Sequence, residues 1–218
     1  MSQVRRLVVP AGTYFFTVRL QDRQARLLTA HVDILRRAVG LCRQRWPFEI
    51  ETAVILPDHL HMIWTLPAGD GDFSKRWRLI KAQFSRQMDA PDAVRPSLRR
   101  RGEKGIWQRR FWDHLIRDDA DFEAHRAYAL TAPVRAGLVG QPQDWVLSSV
   151  HRDLRLGRPL PVGTGYGPVS VQKTAWVETH VTAGRDPVTW VSTHAAGGLT
   201  PKRDGSRPIL PGGAMPTA

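Results

Sequence analysis

The sequence contains a single cysteine, Cys42, and no long apolar run. One cysteine excludes an intrachain disulfide and a zinc site built from several thiolates. A transmembrane helix needs ~20 consecutive apolar residues, and no stretch approaches that length. The apolar stretch near the N-terminus is too short for a signal peptide, so we expect a cytoplasmic protein. Hydrophobic residues nonetheless make up 42% of the 218 residues, which is enough to build the core of one domain.

Acidic side chains are outnumbered, since 20 Asp and Glu face 32 Lys and Arg, for a net charge of +12. The excess is concentrated in residues 73–117, which hold 13 basic and only 4 acidic residues. A run of charge often forms only a solvated face. A block this basic inside a folded domain instead favours nucleic acid as the partner. Arginine, which supplies 27 of the basic residues, suits forked contacts to phosphate.

The pattern of apolar residues predicts an α+β domain. Runs of β-branched and aromatic residues predict four strands, at residues 13–20, 48–56, 59–66 and 106–116. Apolar residues at spacings of three and four, together with end signals, predict four helices, at residues 24–46, 73–88, 118–131 and 144–156. This order predicts a ferredoxin-like antiparallel sheet with helices on one face.

Residues 157–218 differ in composition from the rest of the chain. They hold 10 of the 18 glycines and 8 of the 16 prolines, and no apolar periodicity persists in them. We therefore divide the chain into a folded domain, residues 1–156, and a Gly/Pro-rich irregular tail, residues 157–218. The tail either covers a site or contacts DNA, or it has no role.

Two histidines, His59 and His61, alternate with hydrophobic residues in a predicted strand. Residues i and i+2 of a strand point to the same face, so the two imidazoles can converge on one cation. Two ligands alone do not make a tight metal site, which requires a third group. The alternative is a pair of unrelated surface histidines.

Tyr128 is one of only three tyrosines, and it lies in the helix that begins with several acidic residues. One face of this helix carries, at spacings of four, three and four, Asp121, His125, Tyr128 and Ala132. The plainer interpretation is a half-buried helix tyrosine. Residues 107–114 interleave aromatic and basic side chains, a pattern typical of proteins that bind single strands but also of a solvated edge strand.

Several segments together resemble one protein family. Residues 56–64, LPDHLHMIW, are similar to the HUH motif, two histidines around a hydrophobic residue, of single-tyrosine transposases that act on single-stranded DNA. Further segments resemble the REP-associated tyrosine transposases, in order and with matching spacing, at residues 12–18, 76–81, 105–114, 121–139 and 144–149. The resemblance covers about residues 3–156 and does not include the tail.

The resemblance implies a ferredoxin-like core in which Tyr128 is the nucleophile and His59 and His61 hold Mg²⁺ or Mn²⁺. It implies that the substrates are REP-like palindromes, which fold as single-stranded DNA hairpins. Cleavage would give a 5′-phosphotyrosine and a free 3′-OH, and rejoining would need no ATP because the covalent bond conserves the energy of the phosphodiester. The residues expected to hold the DNA lie in the basic block and are Arg76, Arg78, Lys81, Arg109 and Arg110.

The chain departs from the family pattern at Ala132, where the family has an asparagine that supplies a third metal ligand. The family's histidine two residues after the tyrosine is Leu130 here. His125, which shares the helix face of Tyr128, is a possible substitute ligand. A water molecule or the DNA phosphate is another.

Three functions remain open at this point. The first is an active transposase or endonuclease, and the second is a hairpin-binding relative that does not cut. The third is a metal-dependent nuclease that uses water, with Tyr128 in a structural role. We expect a bacterial protein associated with the nucleoid, and the sequence leaves open whether it is a monomer or a homodimer.

Overall fold

The computed structural model describes residues 8–91, 94 and 96–160. Nearly all of the predicted irregular tail therefore lies outside the described residues, and the division of the chain at residue 156 stays a prediction. Leu160, just past that boundary, packs against the folded core. Within the described part of the chain, no helix is both long and apolar enough to cross a membrane.

Four antiparallel strands form one sheet in the order β2-β3-β1-β4. The strands are β1 (Thr13–Arg19), β2 (Glu49–Ile55), β3 (His59–Thr65) and β4 (Trp112–Leu115). β1 and β3 are central and carry almost unbroken runs of buried residues, because both of their faces are covered. The predicted ferredoxin-like α+β fold is confirmed.

Seven helices accompany the sheet in the described residues. They are α1 (Leu27–Ala30), α2 (Val32–Arg45), α3 (Phe73–Arg86), α4 (Pro96–Arg99), α5 (Asp119–Leu130), α6 (Ala132–Arg135) and α7 (Val150–Arg155). The carboxylates of Asp72 and Asp118 accept hydrogen bonds from backbone N–H groups in the first turns of α3 and α5. Asp72 and Asp118 are therefore the N-caps of these two helices.

Three predicted elements have different bounds in the structure. The helix predicted at residues 24–46 is divided at His31, whose backbone leaves the helical region between α1 and α2. The fourth strand is only four residues long, and the segment before it joins the sheet through one bridge between Leu20 and Trp107. The last predicted helix is replaced by a 3₁₀ turn (Pro142–Asp144) and the short α7.

The long helices α2 and α3 lie on one face of the sheet, as the ferredoxin-like arrangement predicts. Their apolar residues enclose the larger core, in which Trp77 of α3 stacks on Trp64 of β3 with ring centroids 4.3 Å apart. α5 lies against the opposite face, where Phe15 and Ile63 of the sheet meet Leu130, so the helices are not confined to the one face that the sequence predicts. The face that carries the predicted histidines is therefore covered by the helix that carries Tyr128.

α5 is held in place by a buried ion pair with α7. The Arg126 guanidinium donates to Asp153 Oδ2 from both Nε, at 3.1 Å, and an Nη, at 2.9 Å. The Arg126 side chain is 4% exposed and Asp153 is fully buried. Breaking such a pair leaves an uncompensated charge and costs about 3–5 kcal/mol. Trp145, which donates from Nε1 to the carbonyl of Ile55, ties the segment between the two helices to β2.

Candidate active site

His59 and His61 lie on the face of β3 that meets α5. The alternation of the strand directs Leu60 and Met62 into the opposite core, as predicted. The two imidazole rings lie with centroids 5.1 Å apart and nearly perpendicular planes. The pair is therefore close enough for both rings to bind one small cation.

The Nδ1 atom of each histidine has a hydrogen-bond partner. His59 Nδ1 lies 2.6 Å from Asp58 Oδ1, and Asp58 Oδ2 accepts from Arg23 Nε at 2.5 Å. His61 Nδ1 lies 2.9 Å from Thr17 Oγ1, on the neighbouring strand β1. Contacts of this kind orient metal-binding histidines and fix their tautomers, so the Nε2 atoms are the ones that can bind a cation.

Burial keeps both imidazoles in the form that binds metals. Desolvation lowers the pKa of His61 to about 3, with smaller contributions from His59 and Arg135. Desolvation also lowers the pKa of His59, although the hydrogen bond and negative charge of Asp58 oppose this change. Both rings are therefore neutral at neutral pH, and neutral imidazole is a common metal ligand.

Tyr128 lies beside His61, with ring centroids 5.3 Å apart in an edge-on arrangement. It also meets the edge of Phe15, at 6.0 Å. The tyrosine is 47% exposed, unlike Tyr14, which is buried. The structure thus brings one accessible tyrosine to the histidine pair, although its chemical role stays a prediction.

Arg135 completes this group and was missed by the sequence interpretation. Its guanidinium carbon lies 4.0 Å from the centre of the Tyr128 ring, and it donates a hydrogen bond to the hydroxyl of Thr131. Arg135 comes seven residues after Tyr128, a spacing that returns to the same face of a helix. That spacing was the available signal. The spacing of seven is informative only because α6 follows α5 directly after Thr131.

His125 does not join the histidine pair. The Phe15 ring contacts both His61, at 5.5 Å, and His125, at 5.0 Å between centroids. His125 Nδ1 instead lies 3.0 Å from Asp121 Oδ1. His114 Nε2, on β4, lies 2.9 Å from the second oxygen of the same carboxylate.

His114, Asp121 and His125 form a second group that can hold a metal, since their ligand atoms all lie within 4.8 Å of one another. The Asp121 carboxylate also accepts hydrogen bonds from the backbone N–H and Nε of Arg117. The His114 hydrogen bond is the largest cause that holds the pKa of Asp121 well below its usual range. Existing donors therefore surround the carboxylate, and a cation there competes with the guanidinium.

Ala132 begins α6 in an apolar environment. The residue is 4% exposed and packs in the smaller core with Phe15 and Ile63. Its methyl group offers no ligand atom. The fit of the histidine pair to a cation is consequently good in orientation and charge but incomplete in ligand number.

Arg76 requires a correction among the expected DNA contacts. Its side chain is fully buried, and it donates to the backbone carbonyls of Trp46, Pro47 and Asp72. It also forms an ion pair with Asp70 at 3.0 Å. The guanidinium joins the end of α2 to the start of α3, so it has no surface to offer to DNA.

The other four expected contacts lie at the surface or near it. Arg78, Arg109 and Arg110 are exposed. Lys81 donates to the carbonyl of Gln108 at 2.8 Å and lies over the ring of Phe111, so it also fastens the segment before β4 to α3. A groove of about 640 Å³ beside α3, here called the basic groove, is lined by Arg78, Lys81, Arg86, Lys104 and Arg109, with Glu103.

A second cavity, of about 520 Å³, opens beside Tyr128 and is called the Tyr128 cavity below. Its lining comes from β1, β4 and α5 and includes Phe15, Thr17, Arg19, Trp112, His125 and Tyr128. This cavity overlaps the predicted reaction site, because it is lined by Tyr128 and by Thr17, the threonine that orients His61.

Comparison with known proteins agrees with the sequence resemblance, although no model of a protein family matches the chain. A REP-associated tyrosine transposase of Escherichia coli K12 is 45% identical over 157 residues, which are 72% of this chain and 87% of that protein. A Haemophilus influenzae relative named for the same family is 42% identical and matches over 71% of this chain and 89% of its own length. A solved structure of a REP-associated tyrosine transposase bound to a REP hairpin is 41% identical, with a TM-score of 0.65, and covers 80% of this chain and 98% of that one. This chain therefore belongs to the family of REP-associated tyrosine transposases.

Proposed function

We propose that this protein cleaves and rejoins single-stranded DNA beside REP-like hairpins, with Tyr128 as the nucleophile. The observation that carries the proposal is the position of Tyr128, half exposed and 5.3 Å from the ring of His61. The only other tyrosine that the structure describes, Tyr14, is buried in the core opposite the histidines. The solved relative with its REP hairpin supports this class of substrate.

In the proposed step, the phenol oxygen of Tyr128 forms a bond to a backbone phosphorus as the bond from phosphorus to the 3′ oxygen breaks. The phenol proton passes to water, and the 3′ oxygen takes up a proton to become a hydroxyl. The product is a 5′-phosphotyrosine. A 3′-OH of the same or another strand reverses the step, so no external energy is needed for rejoining.

The residues suited to hold Mg²⁺ or Mn²⁺ are His59 and His61, through their Nε2 atoms. A free tyrosine has a pKa of ~10 and is a weak nucleophile at neutral pH, so the phosphate needs activation. When bound, the cation supplies this by polarising a non-bridging phosphate oxygen. Asp58 and Thr17 keep the two imidazoles in one orientation, which limits the reorganisation required at the moment of reaction.

Arg135 has two tasks in this proposal. Its guanidinium covers one face of the Tyr128 ring and restricts how the side chain can turn. It also brings a fixed positive charge beside the tyrosine, where the attacked phosphate gains negative charge in the transition state. Because Arg135 is exposed, it is able to meet a DNA strand.

The basic groove is the surface proposed to hold the hairpin backbone. Its exposed arginines are Arg78 and Arg86 on α3 and Arg109 on the segment before β4. Contacts to phosphate supply affinity without reading sequence and depend strongly on salt. Arg110 is exposed in the same segment.

A second candidate function is hairpin binding without cleavage. Ala132 favours it, because this buried methyl group replaces the family's third metal ligand. Loss of one ligand weakens metal binding but leaves the nucleophile and the histidine pair in place.

One experiment separates these functions. A labelled REP-like hairpin with single-stranded flanks is incubated with the protein and Mn²⁺, and the mixture is run on a denaturing gel. A covalent protein–DNA band that disappears in Tyr128→Phe supports the transposase. A shift seen only on native gels supports the binding protein, whereas free cleaved DNA without a covalent band indicates hydrolysis by water. The nucleoid location and the choice between monomer and homodimer stay predictions.

A further inference from the structure

Trp112 on β4 is the most exposed aromatic residue that the structure describes. It is 52% exposed, whereas Trp64 and Trp77 are fully buried. An exposed tryptophan face beside a cavity is able to stack on a planar ligand. Trp112 lines the Tyr128 cavity, opposite Thr17 in the pairing of β1 and β4.

The Trp112 ring is part of an ordered wall of three parallel rings. The plane of His114, two residues along β4, is tilted by only 4° from that of Trp112, with centroids 5.7 Å apart. His125 of α5 stacks on His114 at 4.3 Å and is tilted by 20° from Trp112. Phe15 meets the face of this wall edge-on, at 5.5 Å from Trp112.

Asp121 holds this wall in position from behind. Its carboxylate Oδ2 binds His114 of β4 and the Arg117 guanidinium. His125 Nδ1, on α5, binds the backbone carbonyl of Asp121 at 2.9 Å and lies 3.0 Å from carboxylate Oδ1. The histidines are therefore fixed before any ligand arrives. A pre-ordered surface loses less conformational entropy on binding than a mobile one.

The charges at the cavity match an anionic strand. Arg19 lines it, and no carboxylate is among the described residues that do so. Asp58 and Asp121 are both engaged by arginine and histidine side chains. A volume of about 520 Å³ is in the range of sites for small organic groups.

We propose that the Tyr128 cavity binds an unpaired nucleobase of the strand that Tyr128 attacks, with the base stacked on Trp112. The inference rests on the proposed function, because it concerns the same reaction site. Stacking on an aromatic face suits any base, and it would place the adjoining phosphate next to Tyr128. Arg19 would contact that nucleotide from the β1 side of the cavity. His114, Asp121 and His125 are positioning residues in this arrangement.

The test measures binding alone, in Tyr128→Phe protein that cannot form the covalent adduct. Two probes are compared, a REP-like hairpin with single-stranded flanks and the same hairpin without flanks. Trp112→Ala should weaken binding of the flanked hairpin by about 5- to 100-fold. Binding of the stem-only hairpin should be unchanged, and Trp112→Phe should retain most of the affinity for both.

A matched control and an abasic scan sharpen the result. Leu41, 50% exposed on α2 at the opposite face, is the control, and Leu41→Ala should change neither affinity. Each flank nucleotide is replaced in turn by an abasic one. At one position, loss of the base should weaken binding to the protein that retains Trp112 but not to the Trp112→Ala variant. Circular dichroism confirms that each variant is folded.

Two results overturn the inference. The nucleobase site is contradicted if Trp112→Ala weakens binding of the flanked and stem-only hairpins equally. It is also contradicted if, at every flank position, the effects of Trp112→Ala and of the abasic substitution on the binding free energy simply add. Neither result contradicts the proposed function. Failure of the unsubstituted chain to bind any hairpin removes the proposed function as well.

Discussion

The guanidinium carbon of Arg135 lies 4.0 Å from the centre of the Tyr128 ring. The two residues belong to different helices, α5 and α6, which are joined at Thr131. The hydroxyl of Thr131 links both sides of this junction, because it accepts a hydrogen bond from Arg135 of α6 and donates one to the carbonyl of Ala127 in α5. The ring of Tyr128, the proposed nucleophile, is therefore held by the Arg135 guanidinium, whose own position is fixed by the hydrogen bond to Thr131.

Arg135→Ala should slow formation of the covalent adduct by on the order of 10- to 100-fold, because the variant loses both the contact that restrains Tyr128 and a charge near the phosphate. Affinity for the hairpin should change by less than a few-fold. Arg135→Lys, which keeps the charge but not the flat guanidinium, should recover part of the rate. Single-turnover rates at saturating DNA measure this effect separately from binding. An unchanged rate in Arg135→Ala would remove Arg135 from the mechanism.

His59→Ala and His61→Ala should abolish cleavage while leaving hairpin binding within a few-fold. Affinity comes mainly from phosphate contacts and shape, whereas the histidines act on the reacting phosphate. Gel assays with Mn²⁺ and with chelator, together with binding measurements on the same variants, check both parts. Full activity of the double variant in chelator would contradict the metal role of the pair.

The buried His61 predicts a pH dependence of stability. Burial lowers its pKa to about 3 in the folded state, against about 6.5 for an unperturbed histidine. Below pH 6.5 the His61 imidazole is protonated in the unfolded chain but stays neutral in the folded chain. The free energy of unfolding therefore falls as the pH is lowered towards 3. The slope for this one group approaches about 1.4 kcal/mol per pH unit. Denaturant unfolding between pH 6.5 and 5 should show a smaller slope in His61→Gln, and an equal slope would contradict the prediction.

Two arginines of α3 form a matched pair for testing the basic groove. Arg78→Ala should weaken hairpin binding and lower the slope of log affinity against log salt by roughly 0.7 to 0.9, because an exposed phosphate contact is lost. Arg76→Ala should instead destabilise the fold, by about 1–3 kcal/mol for each of the three backbone carbonyls that lose its guanidinium as a donor. Asp70 keeps its ion pair with Lys75 in this variant. Salt titrations and thermal unfolding separate the two effects.

The opposite pattern, a stable Arg76→Ala with a lower salt slope, would show that Arg76 contacts DNA. Arg109→Ala and Arg110→Ala extend the series, and each should behave like Arg78→Ala. If none of the three exposed arginines changes affinity or slope, the basic groove is only a solvated face.

Ala132→Asn tests the missing ligand. The position is 4% exposed in an apolar core, so an amide without a partner there should lower the free energy of unfolding by about 1–3 kcal/mol in chelator. If the amide oxygen reaches the cation, added metal should restore part of this stability and cleavage should need less metal. The gain should be larger with Mg²⁺, which requires near-complete oxygen coordination, than with Mn²⁺. Unchanged metal dependence of both stability and cleavage would show that another group already fills the third position.

The sequence alone determined the order of the main strands and helices and the identity of the central histidine pair. Alternation along a strand placed His59 and His61 on one face, because the side-chain period of a strand does not depend on distant residues. The N-cap at Asp72 is equally local, because capping is an interaction with the next turn of the chain. The order of strands and helices, with the resemblance of motifs, was sufficient for the fold class and the family.

Only the tertiary structure decided which basic and aromatic residues surround the site. Arg76 and Arg78 are two residues apart in one basic helix. Arg76 is buried against the carbonyls that follow α2, whereas Arg78 is exposed to solvent. Trp112 and His125 meet because α5 packs on the face of the sheet to which Trp112 of β4 points. Such contacts join segments that are distant in the chain, and their geometry depends on how whole elements pack rather than on any local period.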